Sequence, residues 1–419
     1  MLRQIDRFLD FDGIRAKLKP FYCLIGRPSI DPELMIRMLI VGYCFAIRSE
    51  RRLCEAVHLN LAHRWFCRLG LDGKVPDHST FSRNRHGCFR ESDILRHLFE
   101  SVVRCCMDEG LVGGEGFAVD ASLIQAHADK QRSVPGEEWD IADLPANPGQ
   151  VVRDYLETLD DAAFGAASAK QPKFVSPSDP AAQWTGALRG PAFFAYATNY
   201  LIDTDNAVIV DVEASRAIRQ AEAGAARTMI ERAMDRFDLY LQRLAGDTAY
   251  GTADMLGWLV YEKAIEPHIP VFDTSSRTDG TFSREDFHYY PQEGRYTCPG
   301  GKALTTTGRL VNDGATLLYR ARKADCGSCP FKPKCCPKDP ARKIPRSIHE
   351  GARDMARDIA STDAYETSRK ARKKVEMLFA HLKRILKLGR LRLRGPNGAR
   401  DEFLLAATAP AAGMTRVRQ

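Results

Sequence analysis

Residues 369–387, RKARKKVEMLFAHLKRILK, predict an amphipathic helix with an isolated carboxylate beside a basic face. At about 100° per residue, Glu376 lies about 40° and Lys383 about 20° around the helix from Arg372. The adjoining arc is apolar and holds Val375, Leu378, Phe379, Leu382, Ile385 and Leu386. The remaining arc is mostly basic and holds Lys373, Lys374, Met377, Arg384 and Lys387. A carboxylate between these arcs suits a metal ion that also meets a phosphodiester, although an ordinary Arg–Glu pair at i, i+4 explains the same spacing.

Two aspartates follow short apolar runs earlier in the chain. Residues 116–120, GFAVD, and residues 244–247, LAGD, each predict a buried strand that ends in a carboxylate, Asp120 or Asp247. In an α/β sheet, ligands gather at the C-terminal ends of strands. Each aspartate also fits an ordinary role at the end of a strand or as the cap of a helix.

The residues between these aspartates predict a hairpin and a helix. Residues 194–203 and 207–213 are rich in β-forming residues, and the intervening Thr-Asp-Asn is typical of a turn. Residues 217–243 then predict a helix, and a further helix begins near Thr252. The resulting order alternates strands with helices and predicts an α/β domain.

This pattern resembles the ribonuclease-H-like catalytic core of a DDE transposase of the IS5/IS1182-type insertion-sequence group. The first acid matches Asp120 in Val119-Asp120-Ala121-Ser122, and the second matches Asp247 in Gly246-Asp247-Thr248-Ala249-Tyr250-Gly251. Arg372, Glu376 and Lys383 match the last three positions of the family signature Y-x2-R-x3-E-x6-K. Arg369 stands where that signature has its tyrosine.

The resemblance implies phosphodiester cleavage and strand transfer at a site of two Mg2+ or Mn2+ ions. Two such ions about 3.5 to 4 Å apart activate the attacking oxygen and stabilise the leaving oxygen, and carboxylate oxygens suit them. We expect Asp120 to bridge the ions, while Asp247 and Glu376 each complete one site. Arg372 and Lys383 are then expected to contact DNA phosphates or to orient Glu376.

The charge distribution indicates a polyanionic partner. Residues 365–400 contain twelve Lys or Arg and two Glu, a balance of +10, which leaves about −3 for the rest of a chain of net charge +7. Such a concentrated basic segment is typical of DNA binding, although a charge run also occurs as a plain solvated face. We expect Lys373 and Lys374, on the solvated arc, to bind DNA regardless of sequence.

Four of the twelve cysteines have the spacing of a metal site. Cys298 is followed by Cys326-x2-Cys329 and, after five more residues, by Cys335. This pattern predicts a structural zinc bound by four thiolates. An iron–sulfur cluster accepts similar spacing, and Cys336 could replace Cys335. The resemblance supports this interpretation, because related transposases carry a Cys-rich insertion between the second and third acids.

The sequence predicts four segments: an all-α N-terminal domain over 1–110, the first part of the catalytic domain over 111–275, a small Cys-rich metal-binding insertion over 276–348, and the rest of the catalytic domain over 349–419. Residues 130–190, rich in Pro, Ala, Gly and Ser, are expected to form an insertion or mobile arm, with one helix near 151–164.

Helix boundaries at the two ends of the chain can also be predicted. Asp31 and Ser49 are expected to cap helices of the N-terminal domain, and Asp77 precedes the basic residues 79–85. The resemblance gives this domain a helix-turn-helix character, so a basic helix over 79–90, with Arg83 and Arg85, is expected to bind DNA; a simple helical bundle is equally consistent with the sequence. Residues 332–346 are expected to be extended and DNA-facing. Pro410 and Gly413 predict a break in the last helix.

The function expected is that of a transposase that binds the terminal inverted repeats of its element and target DNA, as a homodimer in the DNA complex. The alternatives are a decayed or repurposed transposase that binds DNA without cleaving it, and a ribonuclease-H-like nuclease. The longest apolar run, residues 38–47, is too short to span a bilayer. The expected location is the cytoplasm, in association with the nucleoid.

Overall fold

The computed structural model describes residues 2–9, 11–21, 29–87, 89, 92–141, 144, 147–159, 172–187, 190–273 and 279–414. These residues form two compact units. The first unit comprises Met1–Ala245 and Glu366–Gln419, and the second comprises Gly246–Tyr365. The four-segment division made from the sequence stays a prediction.

The first unit begins with helices α1 Leu2–Phe8, α2 Phe11–Leu18, α3 Pro32–Cys44, α4 Glu50–Leu59, α5 Leu61–Phe66, α6 His78–His86 and α7 Ile94–Asp108. The two predicted caps, Asp31 and Ser49, are confirmed, and Asp77 caps a third helix. The side chains of Asp31, Ser49 and Asp77 accept hydrogen bonds from backbone N–H groups in the first turns of α3, α4 and α6, at 3.1, 3.5 and 2.8 Å. The predicted basic helix is shorter than expected and ends at His86.

The central sheet of the first unit contains β1 Gly116–Gln125, β4 Gln183–Ala187, β5 Gly190–Asp203, β6 Ile209–Arg216 and β7 Arg243–Ala245. Strand β5 lies between β1 on one edge and both β4 and β6 on the other, and all of these pairs are antiparallel. Strand β7 joins the free edge of β1 in parallel. The predicted hairpin is therefore confirmed as β5 and β6, with both strands longer than predicted.

A small hairpin and a helix lie between β1 and β4. Strands β2 Val134–Pro135 and β3 Phe174–Val175 pair antiparallel, and helix α8 spans Gln150–Glu157. The helix predicted over 151–164 is therefore confirmed as far as Glu157, and residues 160–171 lie outside the described residues.

Helix α9, Arg219–Phe237, covers one face of the sheet and is shorter than the 217–243 predicted. Arg232 of α9 pairs with Asp211 at 3.1 Å and with Glu213 at 2.6 Å, both on β6. These carboxylates are the register partners of Leu201 and Asn199 on β5. Because side chains alternate between faces along a strand, residue 200 between them points to the opposite face.

Two long helices complete the first unit: α14 Asp363–Arg384, which begins in the second unit, and α15 Gly395–Met414. The predicted break at Pro410 and Gly413 is wrong, because α15 continues to Met414. Helix α15 packs on α3, α7 and β6, and its residues Phe403 and Ala406 are fully buried. This packing outweighs the cost of one missing backbone hydrogen bond, since helix propensity is a weak determinant beside tertiary burial.

The second unit contains two small sheets and several short helices. One sheet consists of β9 His288–Tyr290, β10 Arg295–Thr297 and β11 Ala303–Leu304; the other consists of β12 Leu310–Val311, β13 Thr316–Arg320 and β14 Lys343–Ser347. The remaining elements are helix α10 Ala253–Gly257, strand β8 Glu266–His268, and helices α11 Lys323–Gly327, α12 Lys332–Cys335 and α13 Glu350–Ile359. Residues 332–346 are therefore not extended throughout, because α12 occupies the first four of them.

Candidate functional site

Asp120 lies in the middle of a strand rather than at its end. The prediction that the strand stops at Asp120 is wrong, because β1 continues to Gln125 by pairing with residues 195–199 of β5. Asp120 is partly buried, and its Oδ1 accepts a hydrogen bond of 2.8 Å from the backbone N–H of Ala121. Its register partner across the antiparallel pair is Tyr200.

Helix α14 presents Glu376 to solvent and buries the neighbouring arc. Val375 and Leu382 are each 1% exposed, whereas Glu376 is exposed. The predicted amphipathic arrangement is thus confirmed for the helix itself. Ile385 is an exception: it follows the last helical residue and is 59% exposed, so its assignment to the apolar arc is wrong.

A contact between the rings of Phe379 and Tyr200 holds helix α14 against the sheet face that carries Asp120. The ring of Phe379, one turn after Glu376, lies 5.4 Å from the ring of Tyr200. Paired residues of an antiparallel ladder point to the same face, so Asp120 and Tyr200 share the face on which α14 lies. This is the face opposite α9. The fold therefore brings Asp120 and the Glu376 helix to one side of the sheet. No local sequence pattern indicates the Tyr200–Phe379 contact, because the two residues are far apart in the chain.

Lys374 fixes α14 to the hairpin turn. Its Nζ donates hydrogen bonds to the backbone carbonyls of Thr204 at 2.9 Å and Asp205 at 3.0 Å. Lys374 is exposed, as expected, and it also anchors α14 because the β5–β6 turn brings two carbonyl groups to it. Lys373 is exposed, as expected.

The two cations that flank Glu376 are partly withdrawn from water. Arg372 Nη1 is buried and has no hydrogen-bond partner among the described residues. Burial also lowers the pKa of Lys383, since desolvation disfavours its charged form. A partly desolvated guanidinium and ammonium gain more from an anion than fully solvated ones do, so this part of α14 suits a phosphate group.

Asp247 belongs to the second unit, where it begins a short helix. Its Oδ1 accepts a hydrogen bond of 2.7 Å from the N–H of Ala249, in the 3-10 turn Thr248–Tyr250. Thr252 then caps helix α10 through the N–H of Met255, which confirms the predicted helix start. The capping role expected as the alternative for Asp247 is therefore real, and it leaves the second carboxylate oxygen for another partner.

The two arginines proposed for a DNA-binding helix differ in environment. Arg83 is exposed on α6. Arg85 is 5% exposed, and its guanidinium contacts the Tyr43 hydroxyl at 3.2 Å and Glu50 at 3.3 Å. Arg85 thus serves the packing of the helical region, because burial holds it away from a ligand in solvent.

Of the predicted zinc ligands, Cys326 and Cys335 belong to a small hydrophobic core of the second unit, and Cys298 packs against that core. A Cβ placed on Gly300 would be 3.6 Å from the Sγ of Cys329 and 3.7 Å from that of Cys298, so these two thiols flank the same glycine. Cys298 lies in a tight turn, and its Sγ accepts a hydrogen bond of 3.3 Å from the N–H of Lys302.

The other three thiols of this core form a second group. Cys336 is in hydrogen-bonding contact with both Cys326 and Cys335. Burial raises the pKa of the Cys335 thiol to about 12. Within the described part of the chain, no group of three or more His, Cys, Asp or Glu side chains has an arrangement that could hold a metal ion.

None of the described helices is long and apolar enough to cross a membrane.

Comparison with known protein families gives two matches, one near each end of the chain. Residues 1–87 match the family described as Transposase domain (DUF772). Residues 297–410 match the family described as Transposase DDE domain, and this match includes Glu376 and the Cys-rich segment. Both ends of the chain are therefore similar to transposase domains, and the two matches together support a DDE transposase.

Proposed function

We propose that this protein is the transposase of an insertion sequence, which binds the ends of its element and cleaves and joins DNA through Asp120, Asp247 and Glu376. The observation that carries this proposal is the seating of the Glu376 helix on the sheet face that holds Asp120, through Phe379 and Tyr200. The two transposase matches support it independently.

The strand arrangement supports a ribonuclease-H-like core. Strands β6, β5 and β1 are consecutive antiparallel neighbours, and β7 is added in parallel to β1. Ala118 and Ala245 are register partners in that parallel pair, and each is followed two residues later by an acid of the proposed triad, Asp120 or Asp247. The signature spacing of Arg372, Glu376 and Lys383 supports the IS5/IS1182-type group.

The donor groups fit a hard divalent cation. All three acids offer carboxylate oxygens, which Mg2+ and Mn2+ prefer. When bound, two such ions would activate the attacking oxygen and stabilise the leaving oxygen of the phosphodiester. The chain's own cations act beside them: Arg372 and Lys383 would bind the scissile strand and hold it against the carboxylates.

A second, structural metal is proposed for the Cys-rich core. Cys298, Cys326, Cys329 and Cys335 would bind one zinc ion, with Cys336 as the alternative to Cys335 and an iron–sulfur cluster as the alternative to zinc. Three observations support this assignment: Cys298, Cys326 and Cys335 share one core, Cys298 and Cys329 flank Gly300, and the N–H of Lys302 donates to Cys298.

The assembly proposed is a homodimer on DNA, because joining two element ends requires two active sites. Its partners would be the terminal inverted repeats and a target duplex, in the nucleoid of the cytoplasm. Exposed Lys373 and Arg83 are proposed as additional DNA contacts.

A cleavage assay tests the proposed function. The substrate is a duplex that carries the inverted repeats flanking the gene, and the expected products are nicks or breaks at the repeat boundary that require Mg2+ or Mn2+ and are abolished by EDTA. Incubation with a supercoiled target plasmid should then give joined products. Binding to these ends without any cleavage in either metal would favour a non-catalytic DNA-binding protein, and cleavage without end specificity would favour a nuclease.

A further inference from the structure

The first unit contains a cavity of about 310 Å3 with a strongly basic lining. Its cations come from two distant parts of the sequence, namely Arg48 and Arg52 at the start of α4, and Lys387, Arg390 and Arg392 between α14 and α15. The lining contains no acidic residue among those described. Four of these cations are exposed, and their positive fields add at the cavity, which favours the binding of an anion there.

Arg48, which lines the cavity, takes part in a buried ion pair. The Arg48 side chain is 5% exposed and contacts Glu402 of α15, which is itself 1% exposed. Arg48 Nη1 also donates to the carbonyl of Lys387 at 3.3 Å. Glu402 neutralises the charge of Arg48. The net positive charge of the cavity therefore comes from the exposed cations that form its rim, namely Arg52, Lys387, Arg390 and Arg392.

The rim is rigid rather than a flexible basic loop. The N–H groups of Arg392 and Leu393 donate to Glu402 Oε1 at 2.5 and 2.6 Å. The N–H of Leu391 donates to the carbonyl of Gln125, at the end of β1, at 2.8 Å. The backbone of this segment is thus held from both sides, which fixes the points from which its arginine side chains project and reduces the backbone entropy lost on binding.

The sequence of the rim explains which side chains face the cavity. Residues 390–394 alternate as Arg-Leu-Arg-Leu-Arg, and Leu391 and Leu393 are 1% and 8% exposed whereas the arginines are exposed. This period of two, anchored by the leucines, directs Arg390 and Arg392 to solvent. The net charge identified this segment as basic, but only the fold shows that it meets Arg48 and Arg52.

We infer that this cavity binds backbone phosphates of the duplex at a distance from the cleavage site. Gln125, whose carbonyl accepts the hydrogen bond from Leu391, lies five residues after Asp120 on β1. Gln125 and Asp120 are therefore about 17 Å apart along the strand. That separation equals about five base pairs of axial rise in B-DNA. The cavity therefore fits phosphates flanking the scissile one, and its cations give affinity and register without reading sequence.

This inference rests on the proposed function. Salt titrations of DNA binding by the wild-type and variant proteins test the phosphate-binding role of the cavity separately from DNA binding itself. The probe is a fluorescent 30-base-pair duplex of arbitrary sequence, titrated with the full-length protein at several salt concentrations. Arg390→Gln combined with Arg392→Gln should weaken binding about tenfold and reduce the log–log salt slope by about two units. Arg52→Gln, on the opposite wall, should reduce the slope by about one unit.

The matched control removes two charges elsewhere in the same unit. Arg68 and Arg104 are 51% and 46% exposed and lie outside the cavity, so Arg68→Gln combined with Arg104→Gln should leave the slope unchanged. An unchanged slope in the Arg390/Arg392 variant, with normal binding by the wild type, would overturn the phosphate cavity alone. Absence of DNA binding by the wild-type protein would overturn the proposed function and the cavity with it.

Discussion

The Phe379 ring of the Glu376 helix lies 5.4 Å from the ring of Tyr200, which is the cross-strand partner of Asp120. This contact joins the helix that carries Glu376 to the strand pair that carries Asp120. A tilted aromatic pair of this kind contributes about 0.5 to 1.5 kcal/mol beyond the burial of its surface. It therefore sets the position of the helix more than it sets the stability of the fold.

Replacement of Phe379 by alanine should affect the position of the Glu376 helix more than the stability of the protein. We expect the free energy of unfolding to fall by about 2 kcal/mol, less than for a fully buried phenylalanine because Phe379 is half-buried. The cleavage rate at saturating DNA should fall by tenfold or more, because small displacements of a catalytic group are costly (about 100-fold for 1 Å). Met377→Ala is the control, since Met377 is 73% exposed on the same helix. Equal cleavage rates for the two variants would show that the contact does not position Glu376.

The second prediction compares Lys374, which is hydrogen-bonded to the β5–β6 turn, with its exposed neighbour Lys373. Lys374→Ala removes two hydrogen bonds to the β5–β6 turn and should lower the free energy of unfolding by about 1 kcal/mol, a modest value because the side chain is exposed. Lys373→Ala should change stability by less than about 0.5 kcal/mol but should reduce the salt slope of DNA binding by about one unit. Chemical denaturation and salt titration of both variants measure this difference; identical behaviour in both assays would refute the anchoring role of Lys374.

The buried pair of Arg48 and Glu402 gives a third prediction. Glu402→Gln leaves a buried guanidinium without its counter-charge and should destabilise the protein by about 3 kcal/mol. The double variant Arg48→Met and Glu402→Gln removes both charges and keeps an amide oxygen to accept the N–H groups of Arg392 and Leu393. It should recover much of that loss, because a buried pair pays a desolvation penalty close to its attraction. Urea denaturation measures the free energies of unfolding of the single and double variants. A double variant as unstable as the single one would mean that the pair itself, rather than charge balance, stabilises this region.

The fourth prediction concerns the thiols of the second unit. Purified protein should contain about one zinc ion per chain, and Cys326→Ser should abolish its binding and lower the melting temperature, since metal binding and local folding are coupled. Cys105→Ser, on α7 of the first unit, is the control and should retain the metal. Elemental analysis that finds neither zinc nor iron in the wild-type protein would refute the site. Loss of zinc on Cys336→Ser but not on Cys335→Ser would instead assign Cys336 as the fourth ligand.

Local features were predicted well from the sequence. The caps Asp31 and Ser49 and the turn after β5 depend on neighbouring residues, so short segments contain the information that determines them. The amphipathic pattern of α14 was also sufficient to place Glu376 at the edge of a buried arc.

Features that depend on long-range pairing were not predictable in the same way. Strand β1 extends past Asp120 because residues 195–199 of β5 pair with it, and nothing near Asp120 in sequence indicates this. The local sequence around Arg85 is typical of a surface cation. Arg85 is nevertheless buried, because Tyr43 and Glu50, which are distant in sequence, contact its guanidinium. Helix α15 passes Pro410 because its earlier residues are deeply buried, and packing outweighs local propensity.

The proposed three-acid site is tested most directly by the cleavage rates of single acid variants at saturating DNA. Asp120→Asn, Asp247→Asn and Glu376→Gln should each reduce Mg2+-dependent cleavage of a matched end substrate by at least about 100-fold while leaving DNA affinity within about threefold, because loss of a metal ligand removes several kcal/mol of transition-state stabilisation. The matched control is Glu366→Gln, an exposed acid on the same helix that pairs with Arg369 at 3.0 Å, and it should cleave at the wild-type rate. Near-normal cleavage by any one of the three acid variants would contradict the assignment of that residue as a metal ligand.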